Sequence, residues 1–163
     1  MVQKRSAGIL LYRRHEALVE VLLVHPGGPF WSKKDEGAWF VPKGELEGDE
    51  EPLAAARREF REELGTEAPA LEALSLGTVK NKSSKLIYAW ALEGDLNTES
   101  VKSNTFELEW PPRSGRMQRF PEIDRAGWFG LDAAREKLLK GQLPFLDALA
   151  LLVNAGRPGR EAS

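Results

Sequence analysis

The stretch "PKGELEGDEEPLAAARREFREELG", Pro42 to Gly65, decides how this chain is read. Twelve of its residues are charged, and seven of those are glutamates. The spacing predicts a helix over roughly Glu51 to Leu64, because Leu53, Ala56, Phe60 and Leu64 fall on one narrow apolar stripe. Pro52 suits the first turn, Gly65 suits the C-terminal stop, and Asp49 or Glu50 is the expected cap. Glu59 and Glu63 lie four apart beside the stripe, and Glu62 lies three from Glu59, so three carboxylates form an arc at its edge. Like charges at this spacing repel by a few tenths of a kcal/mol when exposed and by more when partly buried. The negative end of the helix dipole adds to the cost. Arg57, Arg58 and Arg61 offset part of it, and a hard divalent cation held between adjacent turns would offset far more. The competing interpretation is a solvated face laced with i,i+4 ion pairs, which is the commoner use of a Glu/Arg-rich helix.

Outward from the helix, "SAGILLYRR" and "LVEVLLVHP" read as two strands joined by a tight turn. "PGGPFWSKKDEG" is a loop long enough to carry a role, and "AWFVP" is a short strand. Downstream, "ALSLGTVKN" and "KLIYAWALEGD" form a strand pair, and "NTFELEW" alternates like a half-exposed strand. "PPRSGRMQRFPEIDR" reads as a second long loop, "AGWFGL" as a short strand or turn, and "LDAAREKLL" and "PFLDALALLVNA" as two closing helices. The order of elements implies an α+β domain with a mixed sheet and helices packed on it. One domain is expected over residues 1–154, with a flexible tail over 155–163.

With 163 residues and a formal net charge of −2, the chain has no overall basic field for a nucleic-acid duplex. It has no cysteine and only two histidines, which excludes thiolate chemistry and argues against a multi-histidine metal centre. A bound metal would be a hard ion held by oxygen. No stretch approaches a membrane span and the N-terminus does not read as a signal peptide, so a soluble, cytoplasmic protein is expected.

From Gly44 the pattern runs as Gly, five residues, Glu50, seven residues, Arg58, Glu59, Phe60, one residue, Glu62, Glu63, one residue, Gly65. It resembles the Nudix box, the signature of the Nudix hydrolases. Every charged and glycine position of that 23-residue motif is present, and Thr66 stands where the family prefers an aliphatic residue. The resemblance implies an α/β/α sandwich and hydrolysis of a phosphoanhydride bond in a nucleoside diphosphate derivative. It implies that Glu59, Glu62, Glu63 and the Gly44 carbonyl hold magnesium, with manganese able to replace it. Arg58 would orient a glutamate through Glu50 or Glu62. The family often draws a general base from a late loop, where Glu122 is the first candidate, with Glu107 and Glu109 behind it; Glu59 or Glu62 could instead polarise the water.

The substrate expected is a small nucleotide, a dinucleoside polyphosphate or a nucleoside triphosphate, acted on by a monomer or homodimer. Lys43, Arg113, Arg116 and Arg119 are candidates to meet its phosphates, and Trp31 and Tyr88 to stack on a base; His25 reads as structural. The alternative is a catalytically silent nucleotide sensor on the same fold. The complete set of Glu59, Glu62 and Glu63 argues against it.

Overall fold

Two apolar runs, "GILLY" and "VLLV", build the centre of the protein. The computed structural model describes residues 4–155. β1 (Arg5–His15) and β2 (Leu18–Pro26) form the expected antiparallel hairpin, with Tyr12 opposite Val21 and His15 opposite Leu18. On its other side β1 pairs in parallel with β5 (Leu86–Glu93), which pairs antiparallel with β4 (Leu74–Lys80). β2 takes β8 (Ile123–Gly130) on its outer edge, giving the order β4-β5-β1-β2-β8. The sheet is therefore mixed, as expected.

A sixth strand, β3 (Lys43–Glu45), shares an edge of β1 with β2. Tyr12 to His15 pair with β2, whereas Ser6, Ala7 and Gly8 pair with Glu45, Gly44 and Lys43. The chain before β3 spans the gap between the diverging strands: Phe40 exchanges two backbone hydrogen bonds with Val24, and the Ile9 N–H donates to the Pro42 carbonyl. The expected strand at "AWFVP" is thus corrected. Trp39 and Phe40 make only isolated bridges, because Trp39 is drawn to the backbone of Lys137 and Leu139, and regular pairing begins only at Lys43.

Apolar side chains alternate to both faces of the sheet, so both are covered. Ala7, Ile9, Leu11, Leu22 and Val24 meet α1 (Pro52–Leu64) through Ala55, Ala56, Phe60 and Leu64. Leu10, Tyr12, Val21 and Leu23 meet α2 (Leu131–Lys137) and α3 (Leu143–Ala155) through Ala134, Phe145, Leu146 and Leu149. This is the three-layer sandwich. On α1, Ala55 takes a buried place and Leu53 is only half-buried. Gly65 ends the helix as expected, with φ of 77° and its N–H on the Arg61 carbonyl. The cap is Glu51, without a side-chain bond, since Glu50 is engaged elsewhere.

The expected loop at "PPRSGRMQRFPEIDR" is also corrected. β6 (Thr105–Glu109) and β7 (Met117–Pro121) form a separate two-stranded hairpin, leaving only a short tip between them. The expected tail at 155–163 lies outside the described residues, except for Ala155 at the end of α3.

Candidate active site

The wedge between β1 and β2 brings β3 under the side of α1 that carries its acids. A Cβ built on Gly44 would lie 1.9 Å from the Glu59 carboxyl carbon, so only glycine lets that carboxylate rest on the backbone. One turn further on, Glu63 accepts the Lys43 backbone N–H at 2.8 Å. Burial, and after it the charge of Glu59, pushes the Glu63 carboxyl up to about 8. Burial likewise raises Glu59, against the pull of Arg58.

Arg58 is the hub of the cluster. Its Nε and Nη2 grip Glu50 at 2.8 and 2.9 Å, and its Nη1 donates to Glu59 at 3.0 Å and to Glu62 at 3.1 Å. Nη2 also donates to the Glu45 carbonyl at 3.0 Å, which ties the helix to β3. The bidentate grip of Arg58, with the Glu47 N–H, pushes Glu50 down to about 2. Arg58 thus orients three glutamates, where the sequence pointed to Glu50 or Glu62 alone.

Glu122 lies just before β8. Its backbone is pinned by an N–H donated to Asn104 and a carbonyl accepting from Gly27. Its charge contributes, least of the causes, to raising both Glu59 and Glu63, so it lies within electrostatic reach of the acids of α1. The other two late acids are committed within the hairpin: Glu107 pairs with Arg119 at 3.4 Å, and Glu109 accepts the Gly115 N–H at 2.8 Å.

The remaining candidates are more dispersed. The Lys43 ammonium sits 5.9 Å from the Phe40 ring centre, and burial, with Lys85 adding to it, holds it below the usual lysine range. Arg113, Arg116 and Arg119 occupy the exposed β6–β7 hairpin, and among the described residues none makes an ion pair with α1. Trp31 is partly exposed, with the Lys34 ammonium 5.0 Å from its ring, and neighbouring Phe30 packs edge-on to Trp110 of the hairpin. Tyr88 stacks on Trp90 at 6.4 Å on the α1 side of the sheet. Sequence reasoning missed the Glu45 carbonyl, because a backbone acceptor leaves no trace in residue type.

Among the described residues, no three carboxylates or imidazoles already converge as the ligands of one metal do. The donor chemistry nonetheless suits a hard divalent cation. It is all oxygen, it crowds like charge, and it includes Glu63, a part-buried carboxyl pushed up by burial and then by Glu59.

A mixed three-layer sandwich with an Arg-bridged glutamate cluster against a glycine strand defines the class. The NUDIX domain profile matches residues 2–149, and the chain belongs to that family. It is 27% identical over 113 residues to an RNA pyrophosphohydrolase of Gluconacetobacter diazotrophicus, an alignment spanning 68% of this chain and 65% of that protein. Among solved structures, a C. elegans Ap4A hydrolase binary complex superposes with a TM-score of 0.67 at 19% identity, covering 92% of this chain and 98% of that one. The NUDIX domain of Shewanella oneidensis NrtR, complexed with ADP ribose, superposes with a TM-score of 0.63 at 16% identity, covering 94% and 90%. At these identities the superpositions show the fold alone. No helix among the described residues is long and apolar enough to cross a membrane.

Proposed function

We propose that this chain is a divalent-metal-dependent hydrolase of a phosphoanhydride bond in a nucleotide derivative, with a dinucleoside polyphosphate or nucleoside triphosphate as substrate and magnesium, replaceable by manganese, as cofactor. The observation that carries the reading is the crowding of carboxyls beside Gly44: burial raises both Glu59 and Glu63, Glu59 further raises Glu63, Glu62 further raises Glu59, and the charge of Glu122 acts on both. Such crowding disfavours the apo site and favours it once positive charge arrives. The names of the Gluconacetobacter relative and the C. elegans neighbour support a pyrophosphate bond as the target.

Glu59, Glu62, Glu63 and the Gly44 carbonyl would hold the cation, which when bound neutralises phosphate oxygens and lowers the pKa of coordinated water. Arg58 keeps Glu59 and Glu62 oriented while Glu50 neutralises the arginine. Glu122 takes a proton from the attacking water as its oxygen bonds to phosphorus, and the bridging P–O bond breaks with its electrons on the leaving phosphate. Lys43 and the hairpin arginines meet the outer phosphates, and Trp31 and Tyr88 offer faces to a base.

A panel of nucleoside triphosphates, dinucleoside polyphosphates, ADP-ribose and 5′-triphosphorylated RNA, incubated with magnesium and analysed for products, tests this reading. Magnesium-dependent release that Glu63→Gln abolishes is expected. Tight nucleotide binding without turnover across the panel would instead identify a sensor.

A further inference from the structure

We propose that His25 is a positioning residue that holds Glu122 and the loop over residues 27–37 at the mouth of the site; this rests on the hydrolase reading above. The imidazole is fully buried at the end of β2. Its Nδ1 lies 2.8 Å from the Asp124 carboxylate and its Nε2 lies 2.6 Å from the Lys34 carbonyl. Two acceptors therefore face one ring. Nε2 donates to Lys34, and a hydrogen is needed between Nδ1 and Asp124 as well, since a bare ring nitrogen and a carboxylate would oppose lone pairs. The ring also packs edge-on to Trp39 at 5.1 Å, and Trp39 donates its indole N–H to Asp35 at 2.8 Å.

The register of β8 shows what the clamp holds. His25 is opposite Arg125 but Pro26 is opposite Ile123, so Asp124 is the extra residue of a β-bulge. The bulge sends Ile123 into the layer beneath α1 and leaves Asp124 to His25. In a regular strand Ile123 would face the other layer. Directly before the bulge, the Glu122 carbonyl accepts the Gly27 N–H at 2.9 Å. One buried ring thus joins three parts that sequence separates: the bulge beside Glu122, the end of β2, and the loop carrying Phe30 and Trp31. A core histidine needs only satisfied nitrogens. This one bridges the two segments from which Glu122 and the aromatic faces project.

The test pairs hydrogen exchange with kinetics. His25→Phe keeps the ring volume and loses both hydrogen bonds, and Asp124→Ala loses one. Asp124→Asn can donate its amide to Nδ1 while Nε2–H stays on Lys34. Faster amide exchange confined to residues 27–37 and 121–125 is expected in His25→Phe, confined to 121–125 in Asp124→Ala, and absent in Asp124→Asn. On the best substrate from the panel, His25→Phe should lower kcat/KM by roughly 10- to 100-fold, divided between a higher KM and a lower kcat. Asp124→Asn should recover most of what Asp124→Ala loses. Unchanged exchange in His25→Phe, exchange raised evenly across the sheet, or Asp124→Asn as impaired as Asp124→Ala would each overturn the proposal. Should the parent hydrolyse nothing, the hydrolase reading falls alone, and the exchange pattern still decides whether His25 holds these segments.

Discussion

Glu63 is the most informative single ionisable group. Its carboxyl is raised from 4.5 to about 8, chiefly by burial and then by Glu59. In the unfolded chain it ionises near 4.5, so between that pH and about 8 the folded protein holds a proton that the unfolded chain has lost. Stability from this group is thus complete below about pH 4.5, falls as pH rises to about 8 and is level beyond, a loss of roughly 3–5 kcal/mol. Glu63→Gln should flatten this decline in thermal melts run with chelator from pH 5 to 9. The proposed cation replaces that proton, so the rise in Tm on adding magnesium should be larger at pH 8 than at pH 6. Arg58 can be tested separately. Arg58→Lys keeps one charge but loses the fork that reaches Glu50, Glu59 and Glu62, and kcat should drop roughly 10- to 100-fold.

At the scale of elements, the site is a contact between a helix and a three-residue strand. The acidic arc of α1 was legible because helical spacing is local. That β3 would lie under it was not, because Lys43–Glu45 is too short to declare itself as a strand and its partner, Ser6–Gly8, is far back in the chain. Gly44→Ala tests the contact. Its methyl must displace the Glu59 carboxylate, so hydrolysis should fall by roughly 10- to 100-fold in steady-state assays while the melting temperature changes little. β6 was legible in the alternation of "NTFELEW", but its partner β7 escaped sequence reading for a different reason. The hairpin pairs mainly through its backbone, and its clearest apolar contact is Phe106 on Phe120 at 5.9 Å, so β7 shows little hydrophobic alternation.

Across the whole molecule, the sandwich supports two kinds of surface. The acids of α1 stand on a sheet buried on both faces, whereas the arginines of the hairpin stand on a separate, exposed ribbon. Removing charge from the ribbon should therefore leave the fold intact. The double variant Arg113→Gln, Arg116→Gln should raise KM for the best polyphosphate substrate several-fold with little change in kcat or Tm. The difference from the parent should shrink as salt is added, since screening weakens exposed charges.

The sequence by itself determined the hairpin of β1 and β2, the acidic helix with its glycine stop, the closing helices and the family, because each rests on residue types at short, regular spacing. Tertiary structure alone decided that Arg58 would bind three glutamates and the Glu45 carbonyl, that β3 would fill the gap beside β1, and that His25 would meet Asp124 across 99 residues of chain. Those contacts depend on where strands diverge and where a bulge falls. Both are set by packing between layers, and neither leaves a periodic mark on the chain.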